Sequence, residues 1–159
     1  SVCLLPSALS DYPRATGVGV VFSPQAAALA RRNSVRTGLG PRGVFFAGSW
    51  AEALNARFDI VLSNPPYIET GDLSDLMPEV VRYEPARALD GGADGLEAYR
   101  ILCAALPDLL VPGGHAIFEM GIGQIEDVSA LGVQNGLRDV GRRKDLGGVE
   151  RALVLHLPA

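Results

Sequence analysis

The residues best suited to chemistry are Asn64-Pro65-Pro66-Tyr67, which follow directly on the apolar run Phe58-Asp59-Ile60-Val61-Leu62-Ser63. Proline fixes its own φ, pushes the residue before it into extended conformations and has no N–H. Two in succession give a stiff loop that no ladder can claim, with the Pro65 carbonyl left free beside the Asn64 side-chain oxygen. Two adjacent acceptors can grip the two hydrogens of one planar NH2 group. Tyr67 adds an aromatic face on which an amide or a nucleobase can rest, with a phenol at its tip. The chemistry implied is methylation of an amino group. Read more plainly, the same residues are a strand-ending turn with Tyr67 as a core ring.

The elements that must position this loop follow a βα rhythm. Gly17 to Phe22 reads as a buried parallel strand, and Ser23-Pro24 as the N-cap and first turn of a helix. That helix is predicted to run to about Thr37, with Ala27, Leu29, Ala30 and Val35 inward and Gly38 as its stop. Val44 to Ala47 is the next strand, leading into Gly48-Ser49-Trp50, and Phe58 to Ser63 feeds the proline loop. From Glu69 to Gly95 the chain is rich in Pro, Gly and acids, with one short helical turn around Leu73 to Met77. A loop of that length suits a lid or a binding surface.

A helix is predicted from Asp94 to Leu110, interrupted or ended near Pro107, after which Pro112-Gly113-Gly114 turns the chain into a strand from His115 to Met120. A helix from about Ile122 to Asn135 precedes two strands, Leu137 to Lys144 and Arg151 to Leu157, joined as a hairpin through Asp145-Leu146-Gly147-Gly148. The pattern implies an α/β fold whose doubly wound sheet is mostly parallel, with a last strand that runs antiparallel. Ligands of such sheets sit beyond the carboxyl ends of the strands, where Ser23, Ser49, Asn64 and Met120 emerge.

At 159 residues one domain is expected, spanning residues 1–159. A composition of 48% hydrophobic and 20% charged residues suits a sheet covered on both faces. The formal net charge of −4 lacks the basic field of a protein that grips nucleic-acid phosphates unaided, so direct nucleic-acid binding is not expected. Cys3 and Cys103 have no CxxC partner, and His115 and His156 have no metal-ligand spacing, so neither a disulfide framework nor a metal site is expected. No stretch has the length of a membrane span and the first residues lack the basic start of a secretion signal, so the expected setting is the reducing cytoplasm. Arg31-Arg32 and Arg142-Arg143-Lys144 read as solvated surface.

Beyond the tetrapeptide, the chain carries Ser23-Pro24 with the Ala-rich helix to Ala30-Arg31-Arg32-Asn33, Gly48-Ser49-Trp50, and Asp59 through Ile68. It continues through Val81-Arg82-Tyr83-Glu84-Pro85, Ala88-Leu89, Gly91-Gly92, Asp94-Gly95-Leu96, Pro112-Gly113-Gly114 and Phe118-Glu119-Met120-Gly121. In these residues the chain resembles the HemK-type (PrmC) protein-(glutamine-N5) methyltransferases. Loops of this kind also occur in methyltransferases of adenine N6 and guanine N2, and the segment Tyr83 to Gly92 is what looks like the glutamine version. The resemblance implies a Rossmann-like S-adenosylmethionine-dependent fold and N5-methylation of the glutamine in the Gly-Gly-Gln motif of peptide chain release factors. A nucleic-acid amino-methyltransferase and a non-catalytic interaction module of the same fold are the alternatives.

By the same resemblance, Asn64, Pro65, Pro66 and Tyr67 are catalytic. Val21, Phe22, Ser49, Trp50, Asn64 and Glu119 face the cofactor, and Asn64, Pro65, Tyr67, Arg82, Glu84 and Pro85 face the substrate. The family's Asp-x-Gly-x-Gly-x-Gly loop and the strand before it are not in this sequence. The sheet is therefore expected to miss a first central strand between those at Gly17 and Phe58. The carboxylate expected near Val21 for the cofactor ribose is also missing, since Val21-Phe22 has none.

Overall fold

The computed structural model describes residues 3–52, 54–77, 79 and 85–159, which fall into two compact units, Ser1–Asn55 and Ala56–Ala159. The first unit contains α1 (Leu4–Asp11), β1 (Gly17–Val21), α2 (Pro24–Arg36) and β2 (Gly43–Ala47). β1 and β2 pair in parallel, from Gly17 opposite Gly43 to Val21 opposite Ala47. α2 begins as its sequence dictates: Pro24 occupies the first turn and the Ser23 hydroxyl accepts the Ala26 N–H at 3.3 Å. Its buried residues are Ala27, Ala30 and Ser34, while Leu29 and Val35 are exposed. At about 100° per residue, the first three share one stripe and Leu29 falls on the opposite side, so the expected inward face is narrower than its apolar residues suggested. α1 lies outside the elements that the sequence pattern predicts. It tolerates Pro6 because first-turn N–H groups have no helical partner, and Arg42 closes its far end by donating to Leu9 O (2.9 Å), Tyr12 O (3.1 Å) and Ala15 O (3.0 Å).

The second unit contains β3 (Phe58–Ser63), α3 (Glu97–Leu109), β4 (Leu110–Glu119), α4 (Ile125–Gln134), β5 (Arg138–Lys144) and β6 (Glu150–His156). Its sheet has the order β3-β4-β6-β5, with β3 and β4 parallel and the pairs β4–β6 and β5–β6 antiparallel. The expected hairpin is present: the Asp145 carboxylate accepts from Gly147 N (2.8 Å) and Val149 N (3.0 Å), closing the turn. One face of the sheet carries Ala116, Phe118, Leu153 and Leu155, all fully buried, in the same core as Tyr99, Leu102, Leu106 and Val128 of the two helices. β1 and β3, the strands expected to flank an absent one, are each at the edge of their sheet.

Three boundaries differ from the sequence reading. β4 starts at Leu110 and absorbs Pro112-Gly113-Gly114 as a bulge, since Phe58 pairs with Leu110 and Ile60 already pairs with His115. α3 runs through Pro107, which lies in its last turn, where Arg57 donates to Leu110 O at 2.9 Å and to Pro107 O at 3.3 Å. The short turn expected at Leu73 to Met77 is a 3-10 helix at Thr70–Asp75. Among the described residues no helix is long and apolar enough to cross a membrane, and no cluster of His, Cys, Asp or Glu could hold a metal ion.

Candidate amide-binding site

β3 delivers the chain to Asn64, which is exposed, and then to Pro65, which is buried, so the loop is anchored directly behind the residue it presents. Among the described residues none hydrogen-bonds the Asn64 side chain or the Pro65 carbonyl. Pro66 and Tyr67 are half-buried. Past Tyr67 the chain is stapled to the last part of the long loop. Ile68 N donates to Leu89 O at 3.0 Å, Gly91 N to Ile68 O at 2.8 Å, and Thr70 N to Gly92 O at 2.9 Å. Ile68 and Asp90 form an isolated parallel bridge.

Two carboxylates hold this segment in shape. Asp90 accepts from the Thr70 hydroxyl at 2.7 Å and from Gly92 N at 3.0 Å, and these bonds, the hydroxyl first, keep its carboxyl below the usual range. Asp94 accepts from Arg100 at 3.0 Å and from Leu96 N at 3.2 Å; chiefly through the Arg100 hydrogen bond its pKa falls to about 2. The approach is close enough to demand glycine. A Cβ on Gly91 would lie 2.8 Å from Tyr67 Cα, and one on Gly95, whose φ is +70°, would lie 2.5 Å from Tyr67 O.

Behind the loop, the Tyr99 ring is fully buried 6.0 Å from that of Phe118, and its hydroxyl donates to Glu119 O at 2.7 Å. Burial, more than any neighbouring charge, raises the Tyr99 pKa, so this phenol is a fixed donor and not an acid. Burial likewise pushes the Cys103 thiol up to about 11, which makes it inert packing. Glu119, at the end of β4, keeps an exposed side chain. Gln124, just before α4, donates its amide to Tyr67 O at 3.0 Å. The sequence motifs passed over Gln124 and Tyr99; the only available signals were a polar residue closing the turn after Gly121 and an aromatic one at an inward position of α3.

In the first unit, the other expected contacts share one sheet edge. Gly48 N donates to Val21 O at 3.0 Å, which sets Phe22 and Ser49-Trp50 at the carboxyl ends of β1 and β2. Phe22 is 59% exposed. Trp50 is half-buried with φ +48°, the single non-glycine residue with positive φ among those described. That backbone region is sparsely populated for a residue other than glycine. Phe22 and Trp50 offer apolar surface suited to an adenine. The ribose of S-adenosylmethionine fits less well, because Val21-Phe22 supplies no carboxylate and the Ser23 hydroxyl is engaged at the start of α2. Arg82 and Glu84 lie outside the described residues, and Pro85 is exposed at the head of the 3-10 turn Ala86–Ala88.

No family model matches the chain. It is 47% identical over 154 residues to a release factor glutamine methyltransferase of Rhodospirillum rubrum, covering 97% of this chain and 47% of that protein. A release factor glutamine methyltransferase of Geobacter sulfurreducens is 46% identical, over 96% of this chain and 54% of the relative. The chain thus spans about half the length of the curated relatives it matches. Among solved structures, a methyltransferase from Pyrococcus furiosus superposes with a TM-score of 0.69 at 16% identity, over 99% of this chain and 70% of that one. A ribosomal protein L11 methylase from Lactobacillus delbrueckii subsp. bulgaricus gives 0.70 at 14%, over 99% and 66%. These structures share the Rossmann-like α/β fold of this chain. Over nearly all of its length the chain is a homologue of the release factor glutamine methyltransferases, the HemK/PrmC family, and corresponds to about half of one.

Proposed function

We propose that the chain carries the acceptor half of a protein-glutamine N5-methyltransferase, in which Asn64 and Pro65 hold the glutamine of a release factor's Gly-Gly-Gln motif. The observation that carries the reading is an exposed Asn64 followed by a buried Pro65, neither the Asn64 side chain nor the Pro65 carbonyl having a hydrogen-bond partner among the described residues, with Tyr67 stapled just beyond. A carboxamide nitrogen is a poor nucleophile because its lone pair is delocalised into the carbonyl. If Asn64 Oδ1 and the Pro65 carbonyl each accept one N–H, the amide is fixed in orientation and charge is favoured on nitrogen. The Tyr67 ring limits the tilt of the amide plane. Arg82, Glu84 and Pro85 are proposed to contact the release-factor loop, and Glu119 the cofactor edge.

S-adenosylmethionine is the proposed cofactor, and when bound it supplies the methyl group. Phe22 and Trp50 would give it an apolar rim, with Val21 and Ser49 beside them, but the described residues lack an anchor for its ribose. The whole is proposed to act in the cytoplasm, as a single methyltransferase domain. The test has two arms. Titrated into this chain, a Gly-Gly-Gln peptide binds saturably and a Gly-Gly-Ala peptide does not; equal affinity for both overturns the glutamine assignment. With labelled S-adenosylmethionine, label goes to a release factor and not to its Gln→Ala variant, whereas label on nucleic acid would point to a base amine as the acceptor.

A further inference from the structure

Gln124 belongs to none of the motifs above, yet its side chain joins three segments. Its Oε1 accepts from Gly121 N at 3.0 Å, and its Nε2 donates to Tyr67 O at 3.0 Å and to Gly95 O at 3.4 Å. The orientation of this amide is dictated by its partners. Exchanging oxygen and nitrogen would set an acceptor against two carbonyls and a donor against an N–H. Space is equally restrictive, since a Cβ on Gly121 would lie 2.6 Å from Oε1 and one on Gly95 2.5 Å from Nε2. The glycines on either side are what allow a primary amide to reach in.

We propose that Gln124 is a positioning residue: its amide ties the Tyr67 carbonyl to the end of β4 and to the Gly91–Gly95 turn, and so sets the pitch at which Asn64 and Pro65 are presented. Its consequence for substrate rests on the amide-acceptor reading, while the tie itself rests on geometry alone. The position requires one acceptor edge and one donor edge. A glutamate keeps the first and turns the second into a charged oxygen facing two carbonyls; a methionine keeps the volume and neither edge. Protonating the glutamate restores one O–H donor. Gln124→Glu should therefore release the loop at neutral pH and recover it on acidification through the carboxyl range, roughly pH 4–5. The Asp94 carboxylate, with its pKa near 2, stays ionised through that window, so its bonds to Arg100 and Leu96 N persist there.

The test follows amide hydrogen exchange in the 159-residue chain at Ile68 and Gly91, whose N–H groups donate to Leu89 O and Ile68 O. Wild type, Gln124→Glu and Gln124→Met are compared at neutral and acid pH, alongside titration with a Gly-Gly-Gln peptide. Exchange at both amides is expected to rise about tenfold or more in both variants at neutral pH. On acidification Gln124→Glu returns toward wild type and Gln124→Met does not, and wherever wild type binds the peptide, affinity follows the same order. Wild-type-like exchange in Gln124→Glu at neutral pH, or the same pH response in both variants, overturns the proposal. If both variants are unfolded at neutral pH by circular dichroism, recovery of Gln124→Glu alone in acid supports it and failure to recover overturns it. Loss of the loop protection with no peptide binding by wild type would sink the glutamine-acceptor reading and leave the tie standing. Peptide binding with an unaltered loop would do the reverse.

Discussion

At the scale of single residues, the site depends on groups that must be small, neutral or ionised for separate reasons. Gly95 has no side chain because Tyr67 O occupies the place of its Cβ and its φ is positive. Gly95→Ala should cost about 1–3 kcal/mol in urea unfolding and loosen Ile68 with it. Asn64→Ala should lower affinity for a Gly-Gly-Gln peptide about tenfold or more while leaving the melting temperature nearly unchanged, because the side chain is exposed. Asp94 has a folded pKa of about 2 against an ordinary 3.8. Its contribution to stability is thus fully present above 3.8 and is lost as pH falls through about 2. Protection of the Leu96 amide, which donates to that carboxylate, should fade over the same interval in wild type and be weak throughout in Asp94→Ala, which has no acceptor.

Much of this was legible in the sequence. Asn64-Pro65-Pro66-Tyr67 announces a stiff loop with two free acceptors because proline acts through its own covalent geometry, which no tertiary context alters. Gln124 was not legible: its role comes from meeting Tyr67, 57 positions away, and Gly95, 29 positions away, and neither distance is encoded locally.

At the scale of elements, ends carry the surprises. α3 outlasts its proline because Pro107 falls where the helix is finishing, and Arg57 supplies donors to Leu110 O and Pro107 O there. Arg57→Ala should cost about 1 kcal/mol, read as a shifted urea midpoint, through loss of a cation at a helix carboxyl end. α1 was missed because an eight-residue segment with an early proline has little propensity of its own, and what closes it is Arg42, from beyond α2. Leu29 and Val35 misled in the other direction: apolar residues off the inward stripe are ordinary on small helices, and Ser34 occupies the stripe instead.

At the scale of the whole molecule, the two compact units differ in what they bury. Among the described residues the first relies on Leu9, Ala27, Ala30, Leu39 and Phe45, whereas the second encloses Tyr99, Phe118, Met120 and twelve other apolar residues. Native-state hydrogen exchange should therefore resolve two classes, with residues 17–47 opening at lower free energy than β4 and β6; uniform protection would contradict the division.

β3 has a further consequence for how the polypeptide behaves in concentrated solution. Among the described residues its outer margin has no strand beside it in its own sheet, and Ile60 and Leu62 are 55% and 37% exposed. Such a margin is a template: an extended apolar segment of a second molecule can add to it, and each addition recreates the same invitation one layer out. Assembly of that kind is nucleated, concentration-dependent and slow to reverse, and it competes with the monomer without altering its fold. A lysine placed at Ile60 would tax every such addition with an uncompensated charge, and light scattering over days should find the Ile60→Lys chain clear at concentrations where wild type has become turbid.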